Sequence, residues 1–433
     1  MAKPRPPRNQ ADTPQDPGSK RRLLIGFALA ILALLAALSL WQGWLNAWHG
    51  SQDFQWSPAQ AFWRRENPYE LYLEGNRGSQ IILNQIPNYA QTLYIFLAPY
   101  ALLPFAAAKP LWAASNILFA IISCTLSARA FALTRLQCWL LMLLFLMAFP
   151  TRNSIGNGQQ SLLILTAFTL AITLADRRSI QGQQTRKASS KKPALLAAIL
   201  AGFSYIKYSF APSFGAAFLH RLGRRFFLIT LVPTLAGLVF FSAWLGRLPP
   251  TLTTIFEPLK VASNGIGSGY GDLLSILQLL LPSNSIHLKA ASLLCLLLAG
   301  AAPFLMDKRS SDLTFWSFAA VASLSFVTHL VYDYVFYLFP AIFALRHWRH
   351  PRGQAIGALV LYQWFAVKAI ASAEIANSAL PWLGFMANLL TLHLLRSHAA
   401  EEKLQGLLAG LHPAKSASPL TSAPPIPHKG SLD

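Results

Sequence analysis

Acidic side chains are scarce in this chain. Asp and Glu number 16 among 433 residues, and all charged types together make up 12%. A soluble domain of this length needs a charged surface and amphipathic periodicity, yet here the apolar residues come in blocks of roughly fifteen to twenty-five that are apolar on every side. Cysteine is nearly absent. The three present, Cys124, Cys138 and Cys295, lie in apolar runs with neither a disulfide framework nor metal-ligand spacing, so no metal is expected. Zinc spacing, a Ser-His-Asp order and a Rossmann context are also missing. The run "GIGSGYG" lacks the Gly-Lys-Ser/Thr of a phosphate loop and follows no strand, and it reads as a mobile loop. No resident cofactor is expected.

What remains is a membrane protein. A hydrocarbon core about 30 Å thick takes about 20 apolar residues in a helix, and the blocks have that length. Lys and Arg exceed Asp and Glu by 20, a surplus that in a soluble chain would point to nucleic acid. Here it is confined to short clusters between apolar blocks, "KRR", "RKASSKK", "HRLGRR", "DKR" and "RHWRHPR". That is the positive-inside pattern, so the surplus orients the chain and calls for no nucleic-acid partner. The first apolar run, Leu23 to Ala47, has no small-residue cleavage pattern and reads as an uncleaved spanning helix.

The organisation follows from these signs. A basic cytoplasmic tail over 1–22 precedes an all-α polytopic domain over 23–398, and a Pro-rich cytoplasmic tail occupies 399–433. Outer loops are expected over 50–88 and 247–285, in a bundle of about 10–13 transmembrane helices and broken hairpins. Between the basic clusters ending at Lys192 and beginning at His220 lie only about 27 residues, too few for two full crossings. A hairpin broken near Lys207 and Pro212 resolves the conflict. The same arithmetic holds between Asp307 and His350, with His329 and Asp333 in the middle, and over Leu136 to Leu174, with "TRNSIGNGQQS" at the centre. Four apolar runs between Asn88 and Asp176 are one too many, and the Pro-bearing run Tyr89 to Leu103 is expected not to cross. The whole would sit in a bacterial inner membrane with both termini cytoplasmic.

Few residues in this frame can carry chemistry. Asp53 follows the first helix directly and precedes "SPAQAFWRR", which has the form of a capping box opening an interfacial helix, rings toward lipid and Arg64 and Arg65 toward phosphate. A lone loop aspartate is ordinarily just solvated; basic and aromatic neighbours favour more. Lysine deep in an apolar segment costs roughly 2.5–3.5 kcal/mol, so Lys207 needs a partner, an anionic headgroup or an escape to the interface. His329 and Asp333 stand four residues apart, a spacing that shares a helical face, with Tyr332 and Tyr334 flanking the Asp. Asn153, Asn157, Gln159 and Gln160 offer neutral groups suited to sugar hydroxyls, although loop amides often only cap helices. Glu66, Glu70 and Glu74 read as a solvated edge.

Several of these stretches resemble glycosyltransferase family 87, polytopic enzymes of the GT-C class related to α-mannosyltransferases that use polyprenyl-phosphate-mannose. Asp53-Phe54, followed about fifteen residues later by Pro68-Tyr69, is similar to the family's first outer loop. "FLAPYALLPFAAAKPLWAASNILF" is similar to the stretch after it, "GNGQQSLLILTAF" to its Gly-Gln motif, through Gly158 and Gln159, and "AGFSYIKYSFAP" to its Lys-bearing hairpin. Tyr89-Ala90-Gln91 departs from the family's Tyr-Pro-Pro, and Asp333-Tyr334 stands where many members carry paired histidines. The resemblance implies Asp53 as general base, and Lys207 with Arg64 and Arg65 at the donor phosphate. Gln159, Asn157, His329, Asp333 and Tyr334 would contact sugar or acceptor. It further implies a lipid-linked sugar donor, a glycolipid or glycan acceptor, and membrane lipids as surroundings. A transporter or flippase also uses broken hairpins, but needs its polar groups at the midplane rather than gathered at one set of tips.

Overall fold

In the computed structural model, residues 17–77, 81–181, 192–264, 269–282, 286–367, 370 and 379–411 are described, and among them every regular element is helical. The order begins α1 (Pro17–His49), α2 (Trp56–Trp63), α3 (Pro68–Leu73), α4 (Thr92–Phe96), α5 (Ala98–Ala101) and α6 (Phe105–Ala130). It continues α7 (Arg135–Met147), α8 (Phe149–Asn157), α9 (Ser161–Gln181), α10 (Lys192–Gly202), α11 (Ala211–Leu222), α12 (Arg224–Thr230) and α13 (Val232–Trp244). Then come α14 (Leu252–Asn264), α15 (Leu273–Leu280), α16 (Ile286–Ala301), α17 (Asp312–Ser325), α18 (Leu338–Arg346), α19 (Pro351–Leu361) and α20 (Leu380–Leu411).

The chain is an all-α polytopic membrane protein. Among the described residues four helices are long and apolar enough to cross a membrane, Lys20–His49, Phe105–Ala130, Arg224–Trp244 and Ile286–Leu305, or five if α7 and α8, bent by 50°, count as one. Against the expected 10–13 elements, the described residues thus hold four or five candidate crossings, and the other helices are shorter or broken. Helix α1 turns Leu23, Leu24, Phe27 and Leu34 outward, a lipid-facing pattern, since apolar side chains need no burial in hydrocarbon. The helical region begins at Pro17 and runs on to Leu411, past the expected boundaries at 22 and 399. The remainder of both tails, 1–16 and 412–433, lies outside the described residues, as does most of "GIGSGYG".

The broken elements are where the sequence arithmetic put them. Helix α10 tightens into a 3-10 turn, Phe203–Ile206, Lys207 is extended, and Pro212 sits in the first turn of α11. Both legs lie on α12: Gly202 abuts the Thr230 carbonyl so closely that an added Cβ would meet it at 2.3 Å, and Phe218 packs on Phe226. Helices α17 and α18 pack together around a loop and a 3-10 turn, Val331–Tyr337, that carries Asp333. The run Tyr89 to Leu103 forms the two short helices α4 and α5, neither long enough to cross a membrane.

One expectation about the first loop fails. Helix α2 begins at Trp56, so Ser57 lies inside it; its hydroxyl bonds Gln85 Oε1 at 2.6 Å and no capping box forms. Nor does α2 turn its rings to lipid. Phe62 is fully buried, stacked on Phe241 at 4.9 Å, because α13 and α4 cover that face.

Two ends of the bundle differ in chemistry. At one, Asp53 N–H meets the Asn157 carbonyl, Ala90 N–H the Ile206 carbonyl and Lys207 meets Asp333. At the other, Arg221 pairs with Asp312, Lys403 with Asp307, and Arg346 bonds the Phe131 carbonyl.

Candidate active site

Asp53 is fixed by its neighbour. After α1 the chain reverses through Ser51, whose φ of 57° is left-handed and whose hydroxyl bonds the Ala47 carbonyl at 3.0 Å. Phe54 is thereby driven into a wholly buried slot, stacked on Trp112 at 5.4 Å and edge-on to Tyr100 at 6.1 Å. The Trp112 indole in turn donates to the Gly158 carbonyl at 2.8 Å. Gly158 ends α8 at φ 71°, and a Cβ there would stand 2.5 Å from Phe54 Cβ. Only glycine permits both the left-handed turn and this approach. The Asp53 backbone N–H closes the junction on the Asn157 carbonyl at 2.9 Å. Asp53-Phe54 and Gly158-Gln159 are thus one packed unit.

The Asp53 carboxyl lies beside the Gln159 side chain, which favours its ionised form. Tyr89 donates its hydroxyl to Gln159 Oε1 at 2.8 Å. Burial pushes the Asp53 carboxyl above its ordinary value; Gln159 and the charge of Lys207 pull it back, and Asp333 adds to the rise. Burial likewise raises Tyr89, which stays a phenol and a donor.

Next to this unit lies an ion-paired cluster. Lys207 Nζ donates to Asp333 Oδ2 at 2.5 Å and lies over the rings of Tyr332 at 4.9 Å and Phe210 at 5.6 Å. Ser161, at the start of α9, donates to Asp333 Oδ1 at 2.6 Å. The third bond comes from His329 Nδ1, 2.8 Å from Oδ2. Because Lys207 donates to the same oxygen, the carboxylate is an acceptor and Nδ1 carries the proton. His329 Nε2 is buried and finds no partner among the described residues. The expected His329–Asp333 bond therefore exists, made from a loop to a 3-10 turn rather than across one turn of α-helix. Asp272, the N-cap of α15, and Tyr270 clamp the His329 backbone at 3.2 and 2.7 Å.

The structure brings together Asp53, Gln159, Lys207, His329 and Asp333. Asn157 joins through its carbonyl, while its side chain bonds Asn153 at 3.0 Å. Three expected residues stand apart. Tyr334 is fully buried facing the other way, its hydroxyl donating to the Tyr270 carbonyl at 2.8 Å and accepting from Asn388. Arg64 and Arg65 follow an eight-residue helix, about 12 Å of rise beyond Asp53's turn, and Arg65 stacks on Trp244 at 5.2 Å. Lys207, read as open to a donor phosphate, already holds Asp333. Residue reading missed Tyr89, Ser161 and Trp112. Tyr89 was signalled, since it opens the Tyr-Ala-Gln stretch; a lone serine and a lone tryptophan in apolar runs carry no such mark.

Comparison with known proteins adds one match. The model of glycosyltransferase family 87 matches residues 89–332. That span holds Tyr89, Gln159, Ser161, Lys207 and His329, and stops short of Asp333. No curated protein and no solved structure matches the chain.

Proposed function

The chain belongs to glycosyltransferase family 87 and is a membrane glycosyltransferase, and from that premise we propose that its donor is a sugar, mannose or another hexose or pentose, carried on polyprenyl phosphate. The acceptor is a lipid or glycan at the outer face, and transfer is an inverting single displacement. One observation carries this reading: a partly buried carboxylate of raised basicity, Asp53, lies at the hairpin tips, beside Gln159 and in the field of Lys207. A lipid-linked sugar keeps its anomeric carbon within a few ångströms of its headgroup, so its base must be tethered at the rim of the bundle. Asp53 is tethered there by Phe54.

In the step itself, an acceptor hydroxyl oxygen attacks the anomeric carbon as the bond from that carbon to the phosphate oxygen breaks. The hydroxyl proton passes to Asp53, and the electron pair of the breaking bond leaves on polyprenyl phosphate. Lys207 has three N–H donors and Asp333 takes one, so two remain for the departing phosphate. Asp333, fixed by Ser161 and His329, aims the ammonium and does not itself meet substrate. His329 Nε2 is the free ring atom for a sugar hydroxyl. Charge supports this choice of face. Basic groups crowd the end bearing Arg221, Arg346 and Lys403, which the positive-inside rule assigns to the cytoplasm, leaving the Asp53 end outside.

The test is transfer in proteoliposomes from labelled polyprenyl-phosphate-mannose and from the matching nucleotide sugar. Label should pass only from the lipid donor, with inverted anomeric configuration in the product. Transfer from the nucleotide sugar alone, or with retention, overturns the reading.

A further inference from the structure

At the end of the bundle opposite Asp53, a cavity of about 490 Å³ opens between the start of α7 and the turn joining α18 to α19. Gln137, Arg346, His347, Arg349 and His350 line it, and no acidic side chain does. Its floor is built. Gln137, the capping-box residue of α7, donates its amide to the Leu345 carbonyl at 2.6 Å, and Arg346 donates to the Phe131 carbonyl at 2.5 Å. Those bonds satisfy carbonyls that would otherwise repel an anion.

Other arginines at this end are neutralised, Arg221 by Asp312 and Arg352 by Glu401. Among the described residues, Arg346 and Arg349 have no carboxylate partner, and both are exposed beside the cavity. Two acids act on the lining histidines and are themselves occupied: Glu402, beside His347, is held by His398 and by the Ser311 N–H, and Glu401, beside His350, by Arg352. Two unpaired guanidinium groups around a formed cavity differ from a basic surface that only orients the chain. Trp348, 63% exposed, lines it as well. Exposed tryptophans of this kind sit at headgroup depth, where basic pockets between helices take lipid phosphates.

We propose that this cavity binds the phosphate of an anionic lipid headgroup, in a site separate from the transfer reaction. The ligand chemistry is a phosphate group; the exposed Trp348 in its lining favours a lipid as its source over free phosphate. The experiment follows thermal melting of the purified full-length protein in micelles doped with phosphatidylglycerol, with phosphatidylcholine, or with inorganic phosphate. Native mass spectrometry of retained lipid runs in parallel. Phosphatidylglycerol should stabilise and be retained. Arg349→Gln, which removes an exposed and unpaired group, should weaken the response about fivefold, and Arg346→Gln with Arg349→Gln on the order of twentyfold. Arg225→Gln, an exposed arginine outside the cavity, should leave it unchanged. An equal response to inorganic phosphate, lost in the same variants, keeps the phosphate site and removes the lipid as its source. An equal response to phosphatidylcholine, or one that Arg349→Gln leaves intact or Arg225→Gln weakens as much, overturns the proposal.

Discussion

Gly158→Ala is the most informative small change. The added methyl would stand 2.5 Å from Phe54 Cβ, and ordinary contact begins near 3.4 Å, so the Asp53-Phe54 segment must retreat by about 0.9 Å (3.4 − 2.5). Phe54 cannot yield by rotation, being stacked on Trp112 and edge-on to Tyr100. The left-handed φ of 71° adds about 1–2 kcal/mol of backbone strain for any residue with a Cβ. A loss of that size leaves a membrane bundle folded, but a displacement near 1 Å at a base costs about 10²-fold in rate. The variant should therefore accumulate and melt slightly lower than wild type while its turnover falls about a hundredfold. Sugar transfer in proteoliposomes and thermal melting of the same preparation measure the two quantities. Gly26→Ala, where a Cβ meets nothing within 4 Å, is the matched control and should change neither. Wild-type turnover by Gly158→Ala would refute the claim that this junction positions Asp53.

Further outcomes follow from the cluster. Lys207→Ala leaves Asp333 buried without its cation, which costs about 3–5 kcal/mol, so the variant should accumulate poorly. Adding Asp333→Ala should restore accumulation without activity, whereas Lys207→Arg should keep part of both, as quantified membrane levels and donor Michaelis constants will report. The pH profile should carry the raised Asp53 carboxyl: the acidic limb of kcat/KM lies above the ordinary carboxyl value of 3.8, and activity falls as pH drops through it. Protonated Asp53 stabilises the fold, an effect complete below 3.8 and lost as pH rises through the folded-state value, so Asp53→Asn should not melt below wild type at neutral pH. Single cysteines at positions 75 and 185 should label from opposite sides of the membrane; labelling from one side would break the assigned topology.

Much of this was legible in the residues. The helical class, the breaks at Lys207 and Pro212 and the short run at Tyr89 to Leu103 follow from apolar length, basic clusters and proline. Asp53 stood out because carboxylates are scarce. Partner choice was not legible. Lys207 and Asp333 lie 126 residues apart, and no local pattern says that a lysine needing an anion finds it in another hairpin rather than in a substrate. The capping-box pattern at Ser57 failed for a related reason: Gln85, arriving from elsewhere in the loop, takes the hydroxyl. Arg64 and Arg65 follow Asp53 in sequence but lie beyond an intervening helix, which the residues alone do not reveal.

The central claim is that Asp53 is the general base. Its most direct test is the turnover of Asp53→Asn, which keeps the side-chain shape but removes the proton acceptor. Phe54, the Asn157 carbonyl bond and Gly158 are untouched, so the protein should fold and bind donor lipid normally. Transfer of labelled sugar in proteoliposomes should fall by about 10²- to 10⁴-fold, or roughly 3–5 kcal/mol of transition-state stabilisation. Asp53→Glu should recover little, since one methylene displaces the carboxylate. Wild-type turnover by a normally expressed Asn variant would contradict the account and return Asp53 to the role of an ordinary loop aspartate.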